Sequence, residues 1–258
     1  MKVVFCQYSI EHGEISKNLQ EFQNTVKAIK SDLIVLPELS FTGYYFKKKE
    51  DLLEVLKQGS LSSIIDVVQN VARRTSSTIL FGHPEVDNEK LYNSVFVVNE
   101  TGLLGKRRKL NNTDNESIFD QGDSLDVIRT NNLNLGVMIC YESWFPEAAR
   151  NLADKGAELF IIMANFGGPY TPLVARVRAL ENSMPLILVN RIGQELIQDT
   201  MEHFCGRSAI IDGYGNTIIE AGDSPCLVSY ELDVKTYSRH ENLISKTVLK
   251  DRKKYDKL

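Results

Sequence analysis

The sequence predicts an α/β protein in which two β-sheets pack face to face and helices cover their outer sides. Three observations predict it. Short, wholly apolar runs recur along the chain, as in strands covered on both faces. Between several of them lie stretches whose apolar residues repeat at helical spacing. Roughly a dozen strands stand against roughly four main helices, too few helices for one doubly wound sheet of that width.

Lys2 to Gln7 opens the chain as a strand. Leu19, Phe22, Val26 and Ile29 follow at spacings of 3, 4 and 3, one face of an amphipathic helix that Ser31-Asp32 closes. Leu33 to Leu36 is a second strand, so these segments form a βαβ unit with a parallel strand pair. Glu38 stands just beyond it, after Pro37. It is a solvated loop acid, a helix cap, or a functional carboxylate at a strand end. Leu39 to Tyr45 is an aromatic loop that walls a pocket or simply packs. Leu61 to Thr75 predicts a second helix, and Thr78 to Phe81 a third strand ending at Gly82. Leu91 to Asn99 and the turn Glu100-Thr-Gly102 predict a hairpin. Its second arm carries Lys106-Arg-Arg-Lys109, a solvated edge or an anion patch unless one lysine is buried. Asn111 to Asp123 is a polar loop, and Glu116 is its notable acid.

Leu135 to Ile139 is a buried strand that stops at Cys140. The chain then turns through Tyr-Glu-Ser-Trp-Phe, and Pro146-Glu147 opens a helix that closes at Gly156. A thiol at that junction is a small buried hydrophobe or a nucleophile; ligands of open α/β sheets bind at such strand ends. Leu159 to Ala164 is the next strand. Thr171-Pro172 caps and starts a helix through Asn182, and Leu186 to Val189 is a further strand. Ser208 to Asp212, Thr217 to Glu220 and Cys226 to Leu232 complete the strands. The charged tail from Ser238 packs along an edge, packs against a partner subunit, or stays loose.

The 258 residues suffice for a substantial core, and 43% hydrophobic with 25% charged residues is ordinary for a soluble protein. A net charge of -4 gives no basic footprint for nucleic acid. No apolar run approaches the roughly 20 residues that span a bilayer. The N-terminus reads as a first strand, not a signal peptide. Cys6, Cys140, Cys205 and Cys226 are widely spaced and the 4 histidines are scattered, so neither a zinc site nor a disulfide framework is expected. Reduced thiols in the cytoplasm fit best.

Several separated groups together resemble the nitrilase superfamily of carbon–nitrogen hydrolases. They are Leu36-Pro-Glu38 with Thr42-Gly-Tyr44, Leu91-Tyr-Asn-Ser94, Gly105 through Arg108-Lys109-Leu110, and Gly122-Asp123. They continue with Ile139-Cys-Tyr-Glu142, Phe145-Pro-Glu147, Arg178-Ala-x-Glu181-Asn182, Asn190-Arg-x-Gly193, and Gly206-x-Ser208 with Asp212-x-x-Gly215. The resemblance spans nearly the whole chain. It implies one domain over 1–258, with a core over roughly 1–235 and the charged tail over 236–258. It also implies a four-layer α-β-β-α sandwich, assembled as a homodimer or larger homo-oligomer.

The resemblance further implies a catalytic triad of Glu38, Lys109 and Cys140, with Glu116 in a supporting role and no cofactor or metal. A thiol of ordinary pKa, about 8.5, is mostly unreactive at neutral pH and needs a base or cation beside it. Glu38 is expected to be that base, Lys109 and the Tyr141 backbone N–H to hold the oxyanion, and Glu116 to orient substrate and support Lys109. Tyr44, Glu142, Trp144, Asn165 and Phe166 are candidate pocket residues, with Tyr45 and Tyr170 as further aromatics. Arg176 and Arg178 bind a carboxylate or lie on a helix surface. Departures from the family pattern are Asn111 where His is frequent, Glu142 where Asp is, and Trp144 where Arg is. The expected reaction is hydrolysis of a small linear amide through a thioester on Cys140, with no nucleic acid or membrane partner. The string Trp144 to Arg150 is similar to the branch acting on N-carbamoyl amines, which makes that the alternative. A nitrilase ranks third, and a non-catalytic interaction protein is the reading from another class.

Overall fold

A computed structural model of the chain describes residues 1–236, Thr247 and Asp251. In chain order its elements begin β1 (Lys2–Gln7), α1 (Ile15–Val26), β2 (Leu33–Val35), α2 (Lys49–Leu56) and α3 (Leu61–Thr75). Next come β3 (Thr78–Asp87), β4 (Lys90–Asn99), β5 (Gly102–Arg108), β6 (Ile128–Arg129) and β7 (Asn134–Ile139). Then follow α4 (Pro146–Asp154), β8 (Leu159–Ala164), α5 (Thr171–Asn182), β9 (Leu186–Asn190), β10 (Ile192–Ile197) and β11 (Thr200–Cys205). The last strands are β12 (Ala209–Ile211), β13 (Thr217–Glu220) and β14 (Cys226–Glu231).

Two six-stranded sheets result, ordered β14-β1-β2-β3-β4-β5 and β13-β12-β9-β8-β7-β6. The expected parallel pair β1–β2 is present, with Val3 opposite Leu33. The side-chain period of two explains why the strands lack a polar face. Val3, Phe5, Val35 and Val97 of one sheet meet Val137, Ile139, Ile161 and Val189 of the other in the central core. The alternate residues Val4, Cys6, Ile34 and Phe81 pack under α1 and α3. Met138, Phe160, Ile162 and Leu188 pack under α4 and α5. The fold is thus the expected four-layer α-β-β-α sandwich. No helix among the described residues is long and apolar enough to cross a membrane.

Several boundaries differ from expectation. Helix α1 stops at Val26, so Ile29 lies beyond it but still packs on the same cluster. Strand β3 does not end at Gly82; it runs to Asp87 and pairs with β4 as far as Asp87–Lys90. Gly82 is needed there because a Cβ would stand 2.3 Å from the Leu39 backbone nitrogen. The turn after Glu38 lies directly on that strand. Thr171 is the first residue of α5 rather than its cap; Tyr170 holds the cap position without a side-chain hydrogen bond. Helix α2 and the hairpin β10–β11 were not expected. The readings of the tail from Ser238, Thr247 and Asp251 aside, fall outside the described residues.

Candidate active site

Glu38 follows β2, Lys109 is the first residue after β5, and Cys140 the first after β7. The site therefore draws its acid and lysine from one sheet and its thiol from the other. Two non-glycine residues here have left-handed backbone: Leu39, φ 48°, beside Glu38, and Cys140, φ 49°. Such a conformation costs about 1–3 kcal/mol and persists only where the surroundings enforce it. Around Cys140 they do. The Ser143 hydroxyl donates to the Cys140 carbonyl at 2.7 Å, and Arg178 Nε donates to the Ser143 carbonyl at 2.9 Å.

Glu38, Lys109 and Glu116 are wholly buried. Lys109 Nζ donates to Glu38 Oε1 at 2.8 Å and to Glu116 Oε1 and Oε2 at 2.7 and 2.8 Å. An ammonium has three donors and three carboxylate oxygens take them, two on Glu116; only by giving up one of the two Glu116 contacts can an N–H turn to another acceptor. Asn93 Nδ2 donates to both acids, at 2.7 Å to Glu38 and 2.9 Å to Glu116. Asn165 Nδ2 donates to the second Glu38 oxygen at 3.1 Å. Thr113 donates through its backbone N–H and its hydroxyl to Glu116 Oε2, each at 3.0 Å. Tyr44 OH shares a 2.9 Å hydrogen bond with that hydroxyl.

These surroundings separate the titrations. Burial raises the Glu38 pKa above the ordinary 4.5; Lys109 and Asn93 pull it back only in part, and Glu116 pushes it further up. Burial also acts on Glu116, but Lys109 and Thr113 outweigh it and hold this acid below the ordinary range. Burial disfavours charge on Lys109, yet the two glutamates raise its pKa well above 10.5. Desolvation raises the Cys140 thiol, helped by Glu38 and Glu116 and opposed by Lys109 and the Asn165 backbone N–H. The arrangement is one ionised acid, one acid with a raised pKa, a fixed ammonium, and a neutral thiol. It can pass a proton between Glu38 and Cys140 while keeping a positive charge beside them.

A cavity of about 250 Å³ opens over the sulfur, and Tyr44, Tyr141, Trp144, Asn165, Phe166 and Tyr170 line it. Of the expected pocket residues, Glu142 is misplaced. It is buried beneath the turn, accepting from Arg107 at 2.6 Å and from the backbone N–H groups of Leu110 and Ile139, each at 2.7 Å. It ties the end of β5 to the end of β7, because the tight turn after Cys140 carries its side chain inward. Tyr45 faces a separate cavity of about 1350 Å³ along β10–β11, which contains none of Glu38, Lys109 and Cys140. Arg178 donates to Glu181 and to the Ser143 carbonyl, and Arg176 to the Gly215 carbonyl. The cluster 106–109 is no anion patch. Lys106 and Arg108 pair with Glu85, Arg107 with Glu142, and Lys109 is the buried one.

Sequence reasoning missed Asn93 and Thr113; it placed Asn165 in the pocket wall, where it lies, but missed that it also donates to Glu38. Asn93 lies within the Leu91-Tyr-Asn-Ser94 motif, and that motif was the available signal. Among the described residues no group of three or more His, Cys, Asp and Glu is placed to hold a metal ion.

A family model described as carbon-nitrogen hydrolase matches residues 2–240. A nitrilase of Pyrococcus abyssi is 36% identical, over 76% of this chain and 76% of that protein. An (R)-stereoselective amidase of a Pseudomonas species is 30% identical, over 91% of this chain and 85% of its own length. Among solved structures, a carbon-nitrogen hydrolase from Helicobacter pylori G27 superposes with a TM-score of 0.84 at 24% identity, covering 92% of this chain and 90% of that one. At that identity the superposition speaks for the fold alone.

Proposed function

Because the chain belongs to the carbon–nitrogen hydrolase family, within the nitrilase superfamily, we propose that it is a cysteine-dependent hydrolase of small linear amides. In this reading Glu38 takes the Cys140 thiol proton as the sulfur attacks the amide carbonyl carbon. A Lys109 N–H released from one of its two Glu116 contacts and the backbone N–H of Tyr141 hold the oxyanion; losing one such donor typically costs roughly 10²–10³ in rate. Glu38 hands the proton to the amide nitrogen, the C–N bond breaks, ammonia leaves, and the acyl group remains as a thioester. Water then attacks the thioester and gives a proton to Glu38. The C–S bond breaks, the acid departs, and Glu38 returns the proton to sulfur. Glu116 holds Lys109 in place, and Tyr44, Trp144, Asn165 and Phe166 surround the substrate.

The observation that carries this reading is the wholly buried Glu38–Lys109–Glu116 cluster beside Cys140. Burying three charges is costly, and a scaffold has no use for them at a cavity floor. The described cysteines are free, which supports a reducing, cytoplasmic setting. The second reading, hydrolysis of an N-carbamoyl amine to amine, ammonia and carbon dioxide, rests on the string Trp144-Phe-Pro-Glu-Ala-Ala-Arg150. The same triad serves both.

The test is ammonia release from a panel of amides, ω-amides, N-carbamoyl amines and nitriles, with intact-mass measurement of the protein. We expect turnover of one class, an acyl adduct on the wild type, and neither with Cys140→Ala. No release and no adduct on any compound would move the non-catalytic interaction reading to the front.

A further inference from the structure

We infer that the preferred substrate carries its amide or carbamoyl group on a short tail ending in an ammonium, and that carboxylate-ended tails are poor substrates. This rests on the hydrolase reading above. Three observations converge on it.

The first is what the wall lacks. Among the described residues lining the cavity over Cys140 there is no lysine, arginine or histidine. A carboxylate entering it would shed water and gain no charge-assisted hydrogen bond. Two arginines that approach the Cys140 turn are engaged elsewhere. Arg107 is paired with Glu142, and Arg178 with Glu181 and the Ser143 carbonyl.

The second is what the wall offers. Tyr44, Tyr141, Trp144, Phe166 and Tyr170 surround the opening. Tyr141, Trp144 and Tyr170 are 40%, 45% and 64% exposed, so their rings reach the mouth. Aromatic faces attract ammonium groups, indole most strongly, and repel anions. A volume near 250 Å³ suits an acyl chain of a few carbons, which would bring its far end to those rings.

The third is the charge behind the wall. Glu38 and Glu116 face a single Lys109, so the floor is net negative whenever both acids are ionised. That field favours a cationic tail over an anionic one by simple Coulomb attraction in a partly desolvated site.

The experiment compares γ-aminobutyramide, valeramide and glutaric acid monoamide on the full-length wild type. Their chains match and only the tail charge differs. A parallel set of N-carbamoyl amines with the same three tails covers the second reading. The expected kcat/KM for the ammonium tail exceeds that for the carboxylate tail by at least about tenfold, with the neutral tail between, on the scale of one cation–π contact plus an avoided anion desolvation. Added salt should shrink the ratio. Trp144→Arg should narrow or invert it, and Trp144→Leu should reduce the advantage of the ammonium over the neutral tail. Circular dichroism of both variants confirms that they fold. Turnover of the carboxylate tail equal to or above that of the ammonium tail overturns the inference and leaves the hydrolase reading standing. Valeramide turned over as well as γ-aminobutyramide overturns the ammonium assignment. No release from any tail in either set, with no adduct on Cys140, overturns both readings together.

Discussion

Lys109 has three protons and two carboxylate neighbours, and the competition between those neighbours sets the chemistry of the site. Glu116 receives four donors, from Lys109, Thr113 and Asn93, and stays ionised. Glu38 receives fewer, and burial keeps its pKa above 4.5. As the proposed base, Glu38 works only when ionised. The acid limb of kcat/KM should therefore lie above the ordinary carboxylate range, with activity rising as pH rises through the Glu38 pKa. Asn93→Ala removes a donor that favours the ionised form, so its acid limb should move to still higher pH. A pH–rate profile of both proteins checks this; a limb at the ordinary value in the wild type, or an unmoved limb in the variant, would sink the assignment. A second residue-scale prediction concerns Glu142. Changing it to Gln leaves the buried Arg107 guanidinium without its counter-charge, and loss of about 3–5 kcal/mol is expected from urea unfolding. Glu38 and Cys140 drew notice because each follows an apolar strand, whereas Lys109 was singled out from its basic cluster, and all three were joined into one site, only by the family resemblance. Asn93 drew none, because a neutral polar residue inside a strand looks like any outward-facing one. Glu142 was misread because sequence spacing does not tell which way a tight turn aims its side chains.

At the scale of elements, the strands were legible wherever both faces are covered, since such runs are apolar throughout. What escaped notice has its stabilisation elsewhere. Strands β10 and β11 alternate only weakly, and their anchor is tertiary. Glu195 accepts from the backbone N–H groups of Tyr44 and Tyr45 and pairs with buried Arg191. Helix α2, KEDLLEVL, buries only Leu52, too little to register as a periodic face. Strand β3 was cut short at Gly82 because Gly-His-Pro reads as a turn, whereas here the glycine admits the Glu38 loop. The extended end of β3 carries its own electrostatic lock. Glu85 accepts from Ser94 and pairs with Lys106 and Arg108 across the sheet, and although burial opposes it these partners bring its pKa from 4.5 to about 2. A depressed carboxylate pKa adds stability that is fully present above the unfolded value and is lost as pH falls through the folded one. Glu85→Gln should thus be less stable at neutral pH, by about 1 kcal/mol for pairs that are partly exposed. The gap between variant and wild type should close as pH falls from 4.5 towards about 2. Unfolding curves at stepped pH measure it; a gap that stays constant would show that the lost contribution is packing, not charge.

Across the whole molecule, the two sheets meet in one apolar core and the site gathers residues that follow the ends of strands in both. Glu38 and Lys109 depend on one sheet, Cys140 and Asn165 on the other, so the cluster exists only while the sheets are packed. The outer layers are less uniform. Helix α5 presents Leu173, Val177 and Leu180 at spacings of 4 and 3, and they are 56%, 42% and 53% exposed. That spacing is one face of a helix, and the face is apolar where solvent would be. Its opposite side, with Ala175 and Ala179, is buried against the sheet beneath. We propose that the same stripe of a second copy covers it, the two copies related by a two-fold axis so that each helix covers the other. The stripe follows directly from Tyr170 at the cavity mouth, so association there would also shield the entrance to Cys140. Val177→Glu places a charge at the centre of the stripe without touching the core, because Val177 is exposed. Sedimentation equilibrium should then show a wild-type dimer and a folded monomeric variant. A monomeric wild type, or a variant that still dimerises, would remove α5 as the contact.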